Sequence, residues 1–402
     1  MSKVLSLLNI KNLTIITIFL VYLFFLKINF FPYYLVIPLL LFGGYSLCTE
    51  IFKLRVKRRY IVYFILILIM FLWSAVSIAV NYTYDFYYPK EVILLGILYF
   101  ISAFAVKSIF KVLKVDYNIE NLSFFLVITT IVQIFLSFAI NSSPLFLSLV
   151  YSVFEFDSIV GIETARIFSE SRFVGFGTSF FGLGVFYSYI LIIFAYYIKK
   201  YVNLKYYNVS LLVYFLMFIA ALLFSRTSII GFVLSLFILF SFRNLIKAFL
   251  YLFFLFLLSP FVLLDNIFNN DKIAFGLEFI FNFKDSQAAS SFDTLIEMYS
   301  KLPDNMLTWI LGDAKYREPT NVGFSGYYKN IDVGYLRVLF YSGIIGLFLF
   351  ILVNSYIIFN SFKNKMLAMV LFSCFLVLNL KGVAQFYSIG FLYFLVDYKD
   401  RN

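Results

Sequence analysis

The chain has 402 residues, of which 63% are hydrophobic, 22% aromatic and only 13% charged. A water-soluble globular domain cannot carry that much hydrocarbon on its surface, so the composition excludes one and predicts a polytopic membrane protein. The formal net charge of +11 is spread over short clusters between apolar segments, which is typical of membrane orientation signals and not of a nucleic-acid-binding patch.

Apolar segments of about 17 to 25 residues, long enough to cross a bilayer as helices, recur along the chain. The first lacks a small-residue cleavage site and is followed at once by a second, so it is expected to be retained. Because a non-barrel chain in lipid satisfies its backbone hydrogen bonds internally, the sequence predicts an all-α bundle of about 12 transmembrane helices in one domain, residues 1–402. The approximate spans are 12–30, 32–52, 60–80, 92–110, 122–140, 180–198, 208–224, 228–242, 248–264, 333–359, 366–380 and 383–397.

The basic clusters predict the orientation of these spans. The densest cluster comprises five cations between the second and third spans, and placing it in the cytoplasm puts both termini there if 12 spans are present. Most acidic residues then fall on the other side. The cations of that cluster are Lys53, Arg55, Lys57, Arg58 and Arg59.

Two segments on the outer side are longer than simple connections require, and long ordered loops tend to carry function. They are residues 141–179 and 265–332. Within the second loop, Leu295, Met298, Tyr299 and Leu302 recur at helical spacing. They predict a short amphipathic helix on the outer membrane face.

Arg226 stands between two apolar runs in Phe224–Phe232, "FSRTSIIGF". It precedes Arg243 by 17 residues, about 26 Å of helix, so it is expected near the outer boundary of the hydrocarbon core. An arginine there can extend to lipid phosphates. The flanking hydroxyls of Ser225 and Thr227 and the intramembrane depth favour a ligand-binding site instead.

The first outer loop adds two more arginines, Arg166 and Arg172, in "GIETARIFSESRFVGFGTSFFGLG". Its glycines admit either close approach to a ligand or ordinary helix packing. A guanidinium group matches two phosphate oxygens at once, which lysine cannot do. Several arginines at this depth therefore predict a site for a lipid-linked phosphate or diphosphate. Asp332 and Arg337 follow the second loop, and Asp332 can alternatively cap the next helix.

Together, four segments resemble the Wzy-type O-antigen and capsular polysaccharide polymerases. They are "LLFSRTSIIGFVLSLFIL", "SRFVGFGTSFFG" before a helix, "WILGD" in the second loop and "DVGYLRVLFYSGIIGLFLF". The resemblance implies a metal-independent glycosyltransferase of the bacterial inner membrane without a cofactor. Such enzymes join repeat units carried on undecaprenyl diphosphate at the outer face of the membrane and transfer the growing chain to the non-reducing end of a new unit. It also suggests a separate chain-length regulator as a partner.

Carried over by position, the resemblance assigns diphosphate and glycan binding to Arg166, Arg172 and Arg226, and also to Arg317 and Arg337. Arg226 is the first candidate for stabilising the leaving diphosphate, followed by Arg172 and Arg166, because fixed cations in a poorly solvated cavity lower that barrier. The chain has no histidine, so any general base is a carboxylate, and the nearest candidates are Glu163, Glu170 and Asp332. Each of these carboxylates can equally hold an arginine.

Three alternatives remain from the sequence. O-antigen ligases generally use a histidine in the large outer loop, which this chain lacks. An ion-coupled flippase or transporter is expected to carry ionisable residues near the bilayer midplane, whereas those of this chain lie at span ends. A purely structural export subunit predicts that no single outer arginine matters.

Overall fold

The computed structural model describes residues 9–29, 35–54, 56–155, 173–178, 180–239, 295–319 and 325–397. These residues are mainly α-helical. Their helices are α1 Ile10–Phe24, α2 Ile37–Phe52, α3 Arg58–Asn81, α4 Pro89–Val112, α5 Ile119–Ser142, α6 Pro144–Val153, α7 Phe180–Tyr201, α8 Leu204–Phe224, α9 Ser228–Leu239, α10 Met306–Leu311, α11 Gly334–Ser361, α12 Lys365–Leu378 and α13 Tyr387–Phe394. Residues 295–300 are also helical.

Six of the described helices, α3, α4, α5, α7, α8 and α11, are long and apolar enough to cross a membrane. The chain is therefore a helical, multi-pass membrane protein. Every predicted span within the described residues contains a helix, and the span at 248–264 lies outside them. The last predicted span contains only the eight-residue helix α13, about 12 Å long, so it is shorter than expected.

Local sequence explains where several helices begin. Asparagine occupies the N-cap of α5, α10 and α12, where its side-chain oxygen accepts a backbone N–H from the first turn. Proline occupies the first position of α4 and of α6. A backbone N–H at that position would have no partner within the helix, so its absence in proline costs no hydrogen bond. The first six residues of α4 form a π-helix, Pro89–Leu94.

The described residues belong to two compact units. Unit 1 comprises Met1–Pro38 and Ile109–Ser286, and unit 2 comprises Leu39–Ser108 and Gln287–Asn402. Each unit is assembled from two separate stretches of the chain, so its core depends on contacts between residues distant in sequence. That residues 1–402 act as one domain stays a prediction.

In unit 1, the start of the predicted first outer loop is structured. The ten-residue helix α6 is followed by a short strand, β2 Phe154–Glu155, which pairs antiparallel with β1 Lys27–Ile28. Leu147, Val150 and Tyr151 of α6 pack with Val174 and Phe176 in one apolar cluster. This cluster fixes the two ends of the segment that contains Arg166 and Arg172.

In unit 2, helix α11 is broken at Gly343, which has φ +65° and ψ −172°. The carbonyl groups freed near the break accept hydrogen bonds from other elements. Ser342 O accepts from Trp73 Nε1 at 2.8 Å, and Tyr341 O accepts from Ala314 N at 3.0 Å. Because other groups of the protein donate hydrogen bonds to these carbonyl oxygens, the break contributes to packing and allows residues 312–314 to lie against α11.

Residues 295–300, which belong to the predicted second outer loop, are helical. Leu295, Met298 and Tyr299 pack on an apolar cluster at the start of α11. Their apolar side therefore contacts protein as well, and the location of this helix on a membrane surface stays a prediction. The cluster consists of Ile331, Val333, Leu336, Leu339 and Phe340. A second antiparallel pair, β3 Arg317–Pro319 and β4 Ser325–Tyr327, lies between α10 and α11.

Candidate functional site

Arg226 lies in unit 1 in a tight turn between α8 and α9. The turn is closed by backbone hydrogen bonds from Ser228 N to Ser225 O and from Ile229 N to Arg226 O, both 3.1 Å. Arg226 is partly exposed, whereas Ser225 and Thr227 on either side of it are 7% and 4% exposed. Arg226 thus stays partly exposed while its two hydroxyl-bearing neighbours are buried.

The buried hydroxyl residues pack against helix α7. A methyl group added at Gly184 would lie 2.5 Å from Ser225 Oγ and 2.6 Å from Thr227 Cβ. Ser188, one turn later, donates from its hydroxyl to Gly184 O at 2.7 Å and to Thr227 O at 3.2 Å. This position favours a role for Ser225 and Thr227 in fixing the backbone around Arg226. That they bind substrate stays a prediction.

A polar stripe on α5 holds the segment that follows Arg172. Asn141 donates from Nδ2 to Val174 O at 2.7 Å and accepts from Val174 N at 3.0 Å. Ser137 Oγ accepts from Phe176 N at 2.8 Å, and Gln133 Nε2 donates to Phe176 O at 3.0 Å. Sequence reasoning missed this stripe, although polar residues spaced by four in an apolar helix signal a functional or structural contact.

The same segment contacts the Arg226 turn. The Phe173 ring lies 5.8 Å from the Phe224 ring, measured between centroids. Phe173 directly follows Arg172, and Phe224 precedes Arg226 by two residues. Arg166, Arg172, Glu163 and Glu170 themselves lie outside the described residues.

Substituting Gln133 with leucine is expected to loosen this end of unit 1. The change removes the donor to Phe176 O and the acceptor of the Tyr187 hydroxyl, which is 2.6 Å from Gln133 Oε1. Leaving buried polar groups without partners destabilises by about 1–3 kcal/mol, so the thermal midpoint of the purified protein should fall. Ser142→Ala is the control, because the exposed Ser142 makes a local bond to Ala139 O. Equal midpoints for Gln133→Leu and Ser142→Ala would refute the stabilising role of the stripe.

In unit 2, the predicted residues Arg317, Arg337 and Asp332 lie in one cluster, which we call the arginine–tyrosine cluster. Arg317 forms an ion pair with Glu91 on the π-helical start of α4, and its guanidinium carbon is 4.6 Å from the centre of the Tyr87 ring. Glu91 also lies close enough to Arg337 for their charges to interact. The full cluster comprises Tyr87, Glu91, Tyr316, Arg317, Tyr327, Asp332 and Arg337.

Among the charged residues of this cluster, Arg337 is the most buried, with 8% of its side chain exposed. Its guanidinium carbon lies 3.7 Å from the Tyr327 ring centre and 4.3 Å from that of Tyr316. Stacking between two rings stabilises a cation that has lost most of its water. Its Nη1 is 3.6 Å from Asp332 Oδ1.

Asp332 pairs with Arg337 and does not cap α11, because the N-cap is Val333 and no side-chain cap bond is present. Desolvation by the surrounding protein raises the pKa of Asp332, while the positive charges of Arg337 and Lys381 oppose that rise. Burial also raises the pKa of the Tyr316 hydroxyl. Arg317 and Arg337 thus each have a carboxylate partner, so the two cations are largely balanced within the cluster.

The two predicted groups of arginines lie in different units, Arg226 in unit 1 and Arg317 with Arg337 in unit 2. Sequence reasoning missed Glu91, Tyr316 and Tyr327. The available signal was Glu91 in "YYPKEV", a carboxylate in a helical first turn two residues after proline. Within the described residues, no three Cys, Asp or Glu side chains lie together as metal ligands; metal-independent chemistry stays a prediction.

Comparisons with protein-family models, with curated proteins and with solved structures find no match to this chain. The resemblance to Wzy-type polymerases therefore depends on the quoted segments alone.

Proposed function

We propose that the protein is a polysaccharide polymerase of the Wzy type. It joins oligosaccharide repeat units carried on undecaprenyl diphosphate at the outer face of the bacterial inner membrane. The acceptor hydroxyl oxygen of a new unit bonds to the anomeric carbon of the growing chain, and the bond from that carbon to the diphosphate breaks. The lipid diphosphate leaves with the electron pair, and the hydroxyl proton passes to a base or to water.

One observation supports this proposal most directly. Phe173, the residue that follows Arg172 in the sequence, packs on Phe224, which precedes Arg226 by two residues. A diphosphate needs several fixed cations at once, because charge accumulates on the leaving oxygens in the transition state.

The packing of the Arg226 turn suits this role. Its backbone is fixed against α7 by buried residues on both sides of the arginine. A cation held in place before the reaction needs no reorganisation when charge develops. The charge-balanced Arg317 and Arg337 are assigned to the glycan part of the substrate, and Asp332 to anchoring Arg337. If a dedicated base is used, Glu163 and Glu170 are the remaining candidates.

The membrane topology belongs to the same proposal, with about 12 spans and both termini in the cytoplasm. In unit 1, Lys199 Nζ donates to Ile238 O at 2.6 Å, at the end of α9 opposite to Arg226. In unit 2, Arg59 donates to Val396 O at 2.9 Å, at the end of α3 opposite to Asn81. In each unit, the basic residues thus lie at the opposite end from the candidate site residues. Because basic residues favour the cytoplasmic side, this arrangement supports a site that faces outward.

The test uses the purified full chain in lipid nanodiscs with lipid diphosphate-linked repeat units from the source organism. Chelator is present, and no nucleotide is added. We expect a ladder of products that differ by one repeat unit, together with released undecaprenyl diphosphate. Intact substrate after prolonged incubation, with folded protein, would contradict the polymerase assignment.

Two rival functions predict other results in this experiment. An O-antigen ligase transfers finished polymer to a lipid A core and gives no ladder from single units. A flippase moves the lipid-linked unit between leaflets and leaves it chemically unchanged. Transporters often bind ions at a break in a helix. At the break in α11, however, Ser342 O and Tyr341 O accept hydrogen bonds from other protein groups, which disfavours an ion site there.

A further inference from the structure

We propose that the loop between α3 and α4, together with strand β3, forms an oligosaccharide-binding cleft. The cleft is open, has a volume of about 500 Å³, and is lined by residues 82–85 and by Lys315, Arg317 and Glu318. That volume is in the range of ligand-binding clefts. It is large enough for a few sugar rings.

Exposed aromatic rings are the main feature of this cleft. Tyr82 is 90% exposed and Tyr84 is 92% exposed. A tyrosine ring offers a flat apolar face to the C–H groups of a sugar ring and a hydroxyl to its oxygens, at a small loss of conformational freedom. Two such rings beside polar side chains therefore fit a hydroxyl-rich ligand with apolar ring faces.

The loop is held in one conformation by hydrogen bonds to the segment after α10. Asp85 Oδ2 accepts from Tyr316 N at 2.6 Å and from Arg317 N at 2.9 Å. Thr83 Oγ1 donates to Ala314 O at 3.0 Å. Asp85 O accepts from the Tyr341 hydroxyl at 2.7 Å. A loop fixed before binding loses little entropy when the ligand arrives, which favours it as a built site.

The charges at the cleft favour a glycan over a phosphate group. Lys315 and Arg317 are opposed by Asp85 and Glu318 within the lining, and Arg317 is also paired with Glu91. A phosphate site would need an excess of cations. The lining instead offers donors and acceptors of both kinds, which is what sugar hydroxyl groups require.

The cleft continues into the arginine–tyrosine cluster through Arg317, which belongs to both. A glycan in the cleft would therefore reach the residues assigned above to the sugar part of the substrate. The identity of this oligosaccharide as the repeat unit depends on the proposed function. Binding itself does not, and the two can be tested separately.

The experiment measures binding of the lipid-free repeat-unit oligosaccharide, released from the source organism's lipid-linked units by mild acid, to the purified full chain in nanodiscs. Tyr82→Ala/Tyr84→Ala is expected to weaken binding about tenfold or more, since two aromatic contacts are removed. Tyr82→Phe/Tyr84→Phe should retain most of the affinity, because the ring faces remain. Tyr45→Ala/Tyr206→Ala is the matched control, as both tyrosines are exposed and lie outside the cleft.

Unchanged binding by Tyr82→Ala/Tyr84→Ala would overturn the cleft, as would absence of binding by the unmodified protein at millimolar oligosaccharide. A lower thermal midpoint with unchanged affinity would assign the two tyrosines to the membrane interface. The ladder experiment reports separately on the polymerase. A product ladder together with unchanged binding by Tyr82→Ala/Tyr84→Ala would refute the proposed cleft alone. Weaker binding by that variant without any ladder would refute the proposed polymerase function alone.

Discussion

Replacement of Arg226 by alanine is expected to abolish long polysaccharide chains while single repeat units are still made and the protein level is unchanged. Arg226 sits in a turn whose neighbours Ser225 and Thr227 are buried against α7, so its partly exposed side chain can be removed without opening the core. Loss of one fixed donor to a developing oxyanion typically lowers the rate about 10²- to 10³-fold.

Arg226→Lys is expected to fail nearly as badly. The variant keeps the positive charge, but an ammonium group cannot engage two diphosphate oxygens with a planar fork. A role limited to surface charge or to lipid phosphates would be rescued by lysine. The comparison of alanine and lysine therefore separates bidentate recognition from simple attraction.

Chain-length ladders from cells that carry each variant provide the measurement, with membrane levels of the protein in parallel. Arg58→Ala is the control, because Arg58 is an exposed arginine at the start of α3, at the end of unit 2 away from the arginine–tyrosine cluster. Normal ladders from both Arg226 variants would reject the catalytic role. Short ladders from Arg58→Ala as well would indicate a general defect in membrane insertion.

The helices could be predicted because lipid leaves an apolar chain few choices. A span must satisfy its own backbone, so its length and hydropathy locate it, and α3, α5 and α8 begin and end close to the predicted positions. Helix α6 was missed for the same reason, since its ten residues are too few to cross a bilayer and were assigned to a loop. The break at Gly343 lies inside continuous apolar sequence and depends on a segment from elsewhere in the chain.

The candidate site was predictable only where its residues are close in sequence. Asp332 and Arg337 are five positions apart where the sequence predicts the end of the second outer loop, and Asp332 Oδ1 lies 3.6 Å from Arg337 Nη1. The pairing of Arg317 with Glu91 connects residues 226 positions apart, and no periodic pattern in one sequence carries that information. The buried stripe on α5 was visible as polar residues, but its partner, the 173–176 backbone, emerges only from the packed unit.

Gly231→Ala is expected to give the largest loss of stability among single methyl additions near Arg226. A Cβ atom at Gly231 would lie 2.2 Å from Ser188 Cα and 2.4 Å from Ser188 O, both backbone atoms that a rotamer change cannot move away. Helices α7 and α9 would have to separate, and overpacking of this kind destabilises by about 1–3 kcal/mol or more. The thermal midpoint in nanodiscs should fall, and polymer length should shorten with it, because the same contact seats the turn that carries Arg226.

Gly44→Ala is the matched control for this change. It also lies in an apolar helix, α2, but a methyl group there has no atom within 4 Å. Alanine is favoured over glycine in a helix interior by up to about 1 kcal/mol, so Gly44→Ala should leave the midpoint unchanged or raise it. Equal behaviour of the two variants would contradict the close packing of α7 on α9. It would also contradict the fixed turn geometry that the proposed role of Arg226 in charge stabilisation requires.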